Sequence, residues 1–123
     1  MSQMRLAGLA AVGAAIGSLA RYAVALLVPT TNATQVPWHT LMVNVIGALL
    51  IGICASNASV MASEARRIFL MTGVLGGFTT FSALAVETQQ LLHHPVIAIL
   101  YIAVTFIGGV TATHIGTRLR ASR

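Results

Sequence analysis

Apolar residues come in four long blocks along this chain, and polar residues gather in the short stretches between them. The first block runs from about Leu6 to Val28 and is interrupted by Arg21; the second runs from about Thr40 to Ala58 and holds Asn44. The third runs from Ile68 to Leu92 with no charge before Glu87, and the fourth, from about Val96 to Ile115, has no Asp, Glu, Lys or Arg. Each block is long enough for a helix across a hydrocarbon core of roughly 30 Å, which takes about 20 residues. Lipid offers the backbone no hydrogen-bond partner, so helices are expected. The pattern predicts an all-α membrane protein of one domain (residues 1–123), with four transmembrane helices at about 6–28, 40–58, 68–92 and 96–115. The connections are brief: a polar turn at Pro29–His39 with Trp38 as interfacial anchor, a loop at Asn57–Arg67, and His93-His94-Pro95.

Composition agrees with this reading. Hydrophobic residues make up 57% of the chain and charged residues only 7%, where a soluble domain carries roughly 25% charge. Nine charged side chains cannot cover the surface of a soluble fold, so a soluble enzyme, a nucleic-acid module and a disulfide-stapled secreted domain are excluded. The pI of about 11.3 reflects arginines that flank the apolar blocks as topology signals. With four spans, Arg5, Arg66, Arg67, Arg118, Arg120 and Arg123 fall on one side, and the two loops on the other side hold none. This bias predicts both termini in the cytoplasm and a multi-pass protein of the inner (plasma) membrane; Arg21 alone pulls the other way. Arg5, an apolar run and Ser18-Leu19-Ala20 resemble a cleavable secretory signal, a reading disfavoured here. The single Cys54 reads as a small buried hydrophobe.

Small residues recur every fourth position, at Gly13 and Gly17, Gly73 and Gly77, and Gly108, Ala112 and Gly116, which predicts close helix–helix contacts. The third span carries Gly76-Gly77-Phe78-Thr79-Thr80-Phe81-Ser82. Paired glycines followed by two β-branched threonines form a poor helix, so the third helix is expected to break at Gly76-Gly77. A break inside a membrane persists only where it is buried in protein or lines a polar cavity, and its freed carbonyls can bind a cation. The competing reading is a kink whose hydroxyls bond back to carbonyls.

This heptad, together with Arg21-Tyr22, Thr40 and Asn44 at T-x-x-x-N spacing, and Glu87 beyond the break, resembles the bacterial fluoride channel family called Fluc or CrcB, over essentially the whole chain. The resemblance implies an antiparallel dimer with two narrow fluoride pores and a structural sodium ion at the dimer centre. It places that sodium on backbone carbonyls, here those of Gly76 and Thr79. It makes Asn44 the pore asparagine, whose amide donates to fluoride; interhelical hydrogen bonding is the alternative. Phe81 matches the first of two pore phenylalanines, which would meet an anion with a positive ring edge; lipid or core packing is the alternative. Phe78 is assigned to packing. The second pore position holds Leu84, which has no such edge, and Ala83 stands where the family usually has threonine. Ser82, Tyr101 and Thr105 match a hydroxyl-bearing track, in which Gly109 supplies no donor; an ordinary packing stripe is the alternative. Arg21 is a vestibule candidate that could instead snorkel, and Thr40 belongs with it. Glu87 matches an acidic position beside the track, either as a structural hydrogen-bonding group or protonated.

The implied activity is passive, selective export of fluoride from the cytoplasm down its electrochemical gradient, without catalysis. A small proton-coupled multidrug transporter of the four-helix antiparallel type is the rival, but it wants a carboxylate in the first span, and none precedes Glu64. One-sided arginines and Leu84 point to a heterodimer with an opposite-orientation homologue; a homodimer is the alternative. His39, His93, His94 and His114 are scattered, with no acidic partner expected near them and no metal site.

Overall fold

The computed structural model describes residues 1–28 and 36–121, apart from the side chains of residues 120 and 121. Most of the expected loop from Pro29, the side chain of Arg120, and Arg123 lie outside the described residues. Four helices long and apolar enough to cross a membrane run over Gln3–Leu27, Trp38–Ala55, Glu64–His93 and Pro95–Leu119. They are referred to as α1 (Gln3–Leu27), α2 (Trp38–Ala55), the composite third span, and α7 (Pro95–Ala121). Between α2 and the third span sits the short α3 (Ala58–Met61). The chain is therefore a multi-pass membrane protein, and no strand occurs among the described residues.

Helix ends follow local chemistry. α2 stops at Ala55, short of the expected Ala58, because Ser56 turns back and its hydroxyl donates to the carbonyls of Gly52 and Ile53. Asn57 then caps α3 by accepting from Ser59 N, and Ser63 caps α4 (Glu64–Arg67) by accepting from Arg66 N. The Arg66 guanidinium also donates to the Ser59 hydroxyl, tying the loop across itself.

The third span is assembled from pieces. After α4 come a π-helical stretch (Ile68–Leu75) and α5 (Gly76–Phe78). Thr79 and Thr80 are extended, with ψ of 158° and 124°. α6 (Phe81–Gln90) and a 3-10 turn (Leu91–His93) complete it. The break thus falls at Thr79-Thr80, not at the glycine pair, where the sequence reading put it; Gly76 keeps helical angles (φ −64°, ψ −37°). The glycines serve packing: a Cβ on Gly77 would lie 2.9 Å from Ala14 Cα, so α1 crosses here almost backbone to backbone. β-branched threonines favour extended backbone, and Thr80 also starts α6 as its N-cap, its hydroxyl accepting from Ala83 N at 3.2 Å.

The break lets the span change partners. Its first half, the π stretch and α5, packs against α1, while α6 meets α7. α2 lies along α7 and touches both the π stretch and α5. The small residues occupy these crossings: Gly13 and Gly17 face Gly73, Val74 and Phe78, and Gly52 and Gly116 mediate the α2–α7 approach. The outward surface is apolar, with Met4, Leu19, Leu27 and Val110 exposed, as expected for a face covered by lipid or a second subunit.

A side chain at Gly17 would drive into the Val74 carbonyl, which belongs to backbone and cannot yield. Gly17→Val is expected to destabilise the protein by about 1–3 kcal/mol, read as a lower melting temperature in detergent. Gly8→Ala, where nothing lies within 4 Å of the added methyl, should melt close to the wild type.

Candidate functional site

The centre of the site is the joint between α5 and α6. Asn44, on α2, reaches across to it and makes two reciprocal hydrogen bonds to Thr80: Thr80 N donates to Asn44 Oδ1 at 2.8 Å, and Asn44 Nδ2 donates to Thr80 O at 3.0 Å. One amide side chain thereby replaces the backbone partner that an extended residue in a membrane lacks.

Each donor diverted at the joint releases a carbonyl. In an unbroken helix Thr80 N would donate to Gly76 O, and Ala83 N to Thr79 O. Here the first goes to Asn44 and the second to the Thr80 hydroxyl. The carbonyls so deprived are those of Gly76 and Thr79, the pair singled out as cation ligands. Neutral carbonyl oxygens are a donor set that suits a hard cation. Gly77 O is satisfied differently: Arg21 Nε donates to it at 3.2 Å and Ser18 Oγ at 3.4 Å. Arg21 is half-buried and bonded inward, so it does not snorkel.

Two cavities flank the joint, and Thr80 borders both. A groove of about 620 Å³ runs between the joint and α7; Asn44, Thr79, Phe81, Leu84 and Thr105 line it, and Gly109, Thr113 and Thr117 continue it. On the other side a vestibule of about 250 Å³ is bordered by Ser18, Arg21, Tyr22, His39 and Thr40. The apolar walls and few polar groups of the groove fit a small-ligand passage.

The remaining candidates divide between these surfaces and the interior. Phe81 stands 73% exposed on the groove rim. Ser82 is exposed beside it, its hydroxyl 3.2 Å from that of Thr80, and does not line the groove. Leu84 borders the groove yet is buried against Leu91, Ala98 and Tyr101. Tyr101 is likewise buried and lines neither cavity. Thr105 lines the groove with its hydroxyl turned back onto Tyr101 O at 2.7 Å. Phe78 contacts the position of Gly47 on α2, as its packing assignment expects.

Glu87 gathers a polar cluster between α2, α6 and α7. Thr40 Oγ1 donates to its Oε1 and Tyr101 OH to its Oε2, both at 2.6 Å. Its Oε1 also lies 3.4 Å from His39 Nε2. The expectation that no acidic group lies near the histidines is therefore corrected for His39. The two residues come together because α2 and α6 enter the same end of the bundle, a proximity that helical spacing within one segment does not reveal. Thr113 and Thr117 were also missed, although they extend the four-residue spacing of Tyr101, Thr105 and Gly109.

Comparison with known proteins shows the family. The family model described as "CrcB-like protein, Camphor Resistance (CrcB)" matches residues 8–117. A protein of Thermus thermophilus named "Fluoride-specific ion channel FluC" is 43% identical over 115 residues, covering 90% of this chain and 91% of its own. "Fluoride-specific ion channel FluC 1" of Lactiplantibacillus plantarum is 38% identical over 114 residues, covering 91% and 96%. A "Fluoride-specific ion channel FluC 1" of Rhodopseudomonas palustris is 40% identical over 114 residues, covering 88% and 81%.

Replacing Asn44 by leucine, of similar size but without polar atoms, leaves Thr80 N without a partner, whereas Thr80 O, the N-cap carbonyl of α6, keeps its bond within the helix. Asn44→Leu is expected to cost about 1–3 kcal/mol for the stranded N–H, seen as a drop in thermal stability in detergent. Ser82→Ala, at an exposed site, should stay within about 0.5 kcal/mol of the wild type.

Proposed function

The chain belongs to the CrcB family, and on that premise we propose that it is a subunit of a fluoride-selective channel that lets fluoride leave the cytoplasm down its electrochemical gradient. The observation that carries the reading is the joint at Thr80, held by Asn44 and bordered on both sides by cavities with polar groups. Passive export suits the chemistry of the ion. Weakly acidic HF crosses lipid, dissociates at cytoplasmic pH and leaves fluoride trapped, and a selective path releases it and so lowers its toxicity.

Selectivity rests on narrowness and on donors matched to a small, hard anion. Asn44 Nδ2 has a second N–H beyond the one given to Thr80, which is offered to the ion. Phe81 offers its ring edge from the groove rim, and Thr105 and Thr113 continue the passage along α7. Arg21 draws the anion into the vestibule, and Thr40, its hydroxyl donated to Glu87, borders it. Leu84 gives no edge contribution, and Ser82 and Tyr101 act from beside the path. The carbonyls of Gly76 and Thr79 hold a structural sodium ion, which when bound supplies positive charge that offsets the cost of an anion in the membrane.

The assembly is an antiparallel dimer in the cell membrane. Six arginines at the end that holds both termini favour a fixed orientation with the termini in the cytoplasm. That bias, with Leu84 at the second aromatic position, favours an opposite-orientation homologue as partner over a second copy; numbered names among the relatives fit chains that occur in pairs.

Liposomes holding this chain are expected to release fluoride and retain chloride, either alone or once an opposite-orientation homologue is added. Replacing sodium by a large organic cation should reduce the fluoride release. Equal release of chloride, or no fluoride release in either setting, contradicts the reading.

A further inference from the structure

His39 is a polar residue of the vestibule to which the channel reading gives no task. It borders the cavity with Arg21, Thr40 and Thr80, and its Nε2 faces Glu87 Oε1 at 3.4 Å. The two side chains are only 21% and 14% exposed, so their charges are weakly screened. The other ring nitrogen, Nδ1, is buried and has no hydrogen-bond partner, which leaves Glu87 as the polar contact of the imidazole among the described residues.

Glu87 cannot swing away from the vestibule. Hydroxyls of Thr40 and Tyr101 hold its two oxygens at 2.6 Å each, from α2 and α7. Among the described residues, the titratable and charged groups around His39 are then Glu87 on α6, Tyr101 on α7, and Arg21 and Tyr22 on α1. With a neutral imidazole, Arg21 and an ionised Glu87 cancel. A proton on His39 leaves the vestibule with one net positive charge.

We propose that His39 is a charge-setting positioning residue of the anion path: its protonated ring compensates the fixed Glu87 carboxylate and makes the vestibule admit an anion. The inference rests on the fluoride-channel reading. A proton on the ring adds positive charge beside Arg21, so the vestibule turns more attractive to fluoride as pH falls. A charged entrance focuses field lines and raises the local concentration of its counter-ion.

The test is fluoride efflux from liposomes at equal pH inside and out, from about pH 8 to 5.5, with leak from protein-free vesicles subtracted at each pH. Any homologue needed for activity is included throughout. The wild type is expected to rise by roughly threefold or more on acidification. His39→Gln keeps a donor toward Glu87 but cannot take a proton, and should give a flat profile at the low level. His39→Lys carries a fixed positive charge and should give a flat profile at the high level. Gel filtration establishes that each variant is folded; should His39→Gln not fold, His39→Lys decides alone. Fluoride efflux with the same pH profile in the wild type and in a folded variant overturns the inference and leaves the channel reading intact. Absence of wild-type fluoride efflux at every pH overturns both.

Discussion

A helix cannot open inside a membrane without finding partners for the backbone groups it exposes, and here a side chain of the neighbouring helix pairs with the residue at the break. Asn44 reaches across from α2 and exchanges two hydrogen bonds with Thr80, 36 residues away in sequence. The extended pair Thr79-Thr80 depends on that exchange. Without it, the N–H of Thr80 would have no partner inside the membrane, and a continuous helix would be the better solution.

The rest of the arrangement follows from the open joint. The first half of the third span can stay locked against α1 through Gly13, Gly17, Gly73 and Gly77, while the second half leans on α7. Cavities form on both sides of the point where the span changes partner, with Thr80 between them. Donors drawn to Asn44 and to the Thr80 hydroxyl leave the carbonyls of Gly76 and Thr79 without their helical partners. One interaction thus links a fold-level feature, a cation-ready donor pair and a partition between two cavities.

Much of this was legible in the sequence because membrane helices obey simple length and polarity limits. The four spans are such a case, as are the small-residue crossings and the concentration of chemistry in the Gly76–Ser82 heptad. Poor helix propensity alone points to the glycines as the break. In the structure the glycines are helical and buy close approach to α1, whereas the break needs a capping hydroxyl and a partner from another helix, which propensity does not encode. The π-helical stretch at Ile68–Leu75 had no signal in its residues. His39 and Glu87 were read separately, since contact between α2 and α6 depends on how the helices are arranged. Thr113 and Thr117 continue the four-residue spacing of Tyr101, Thr105 and Gly109, so that spacing carries a signal for them.

The central claim is that Asn44 both holds the joint and serves the anion that passes it. Asn44→Asp separates the two duties: the carboxylate still accepts from Thr80 N, but its charge repels an anion and its donor is gone. The decisive measurement is fluoride efflux from liposomes carrying this variant, with gel filtration establishing that it is folded. The account expects a folded protein with efflux near that of empty vesicles. A folded Asn44→Asp protein that releases fluoride as fast as the wild type would contradict it.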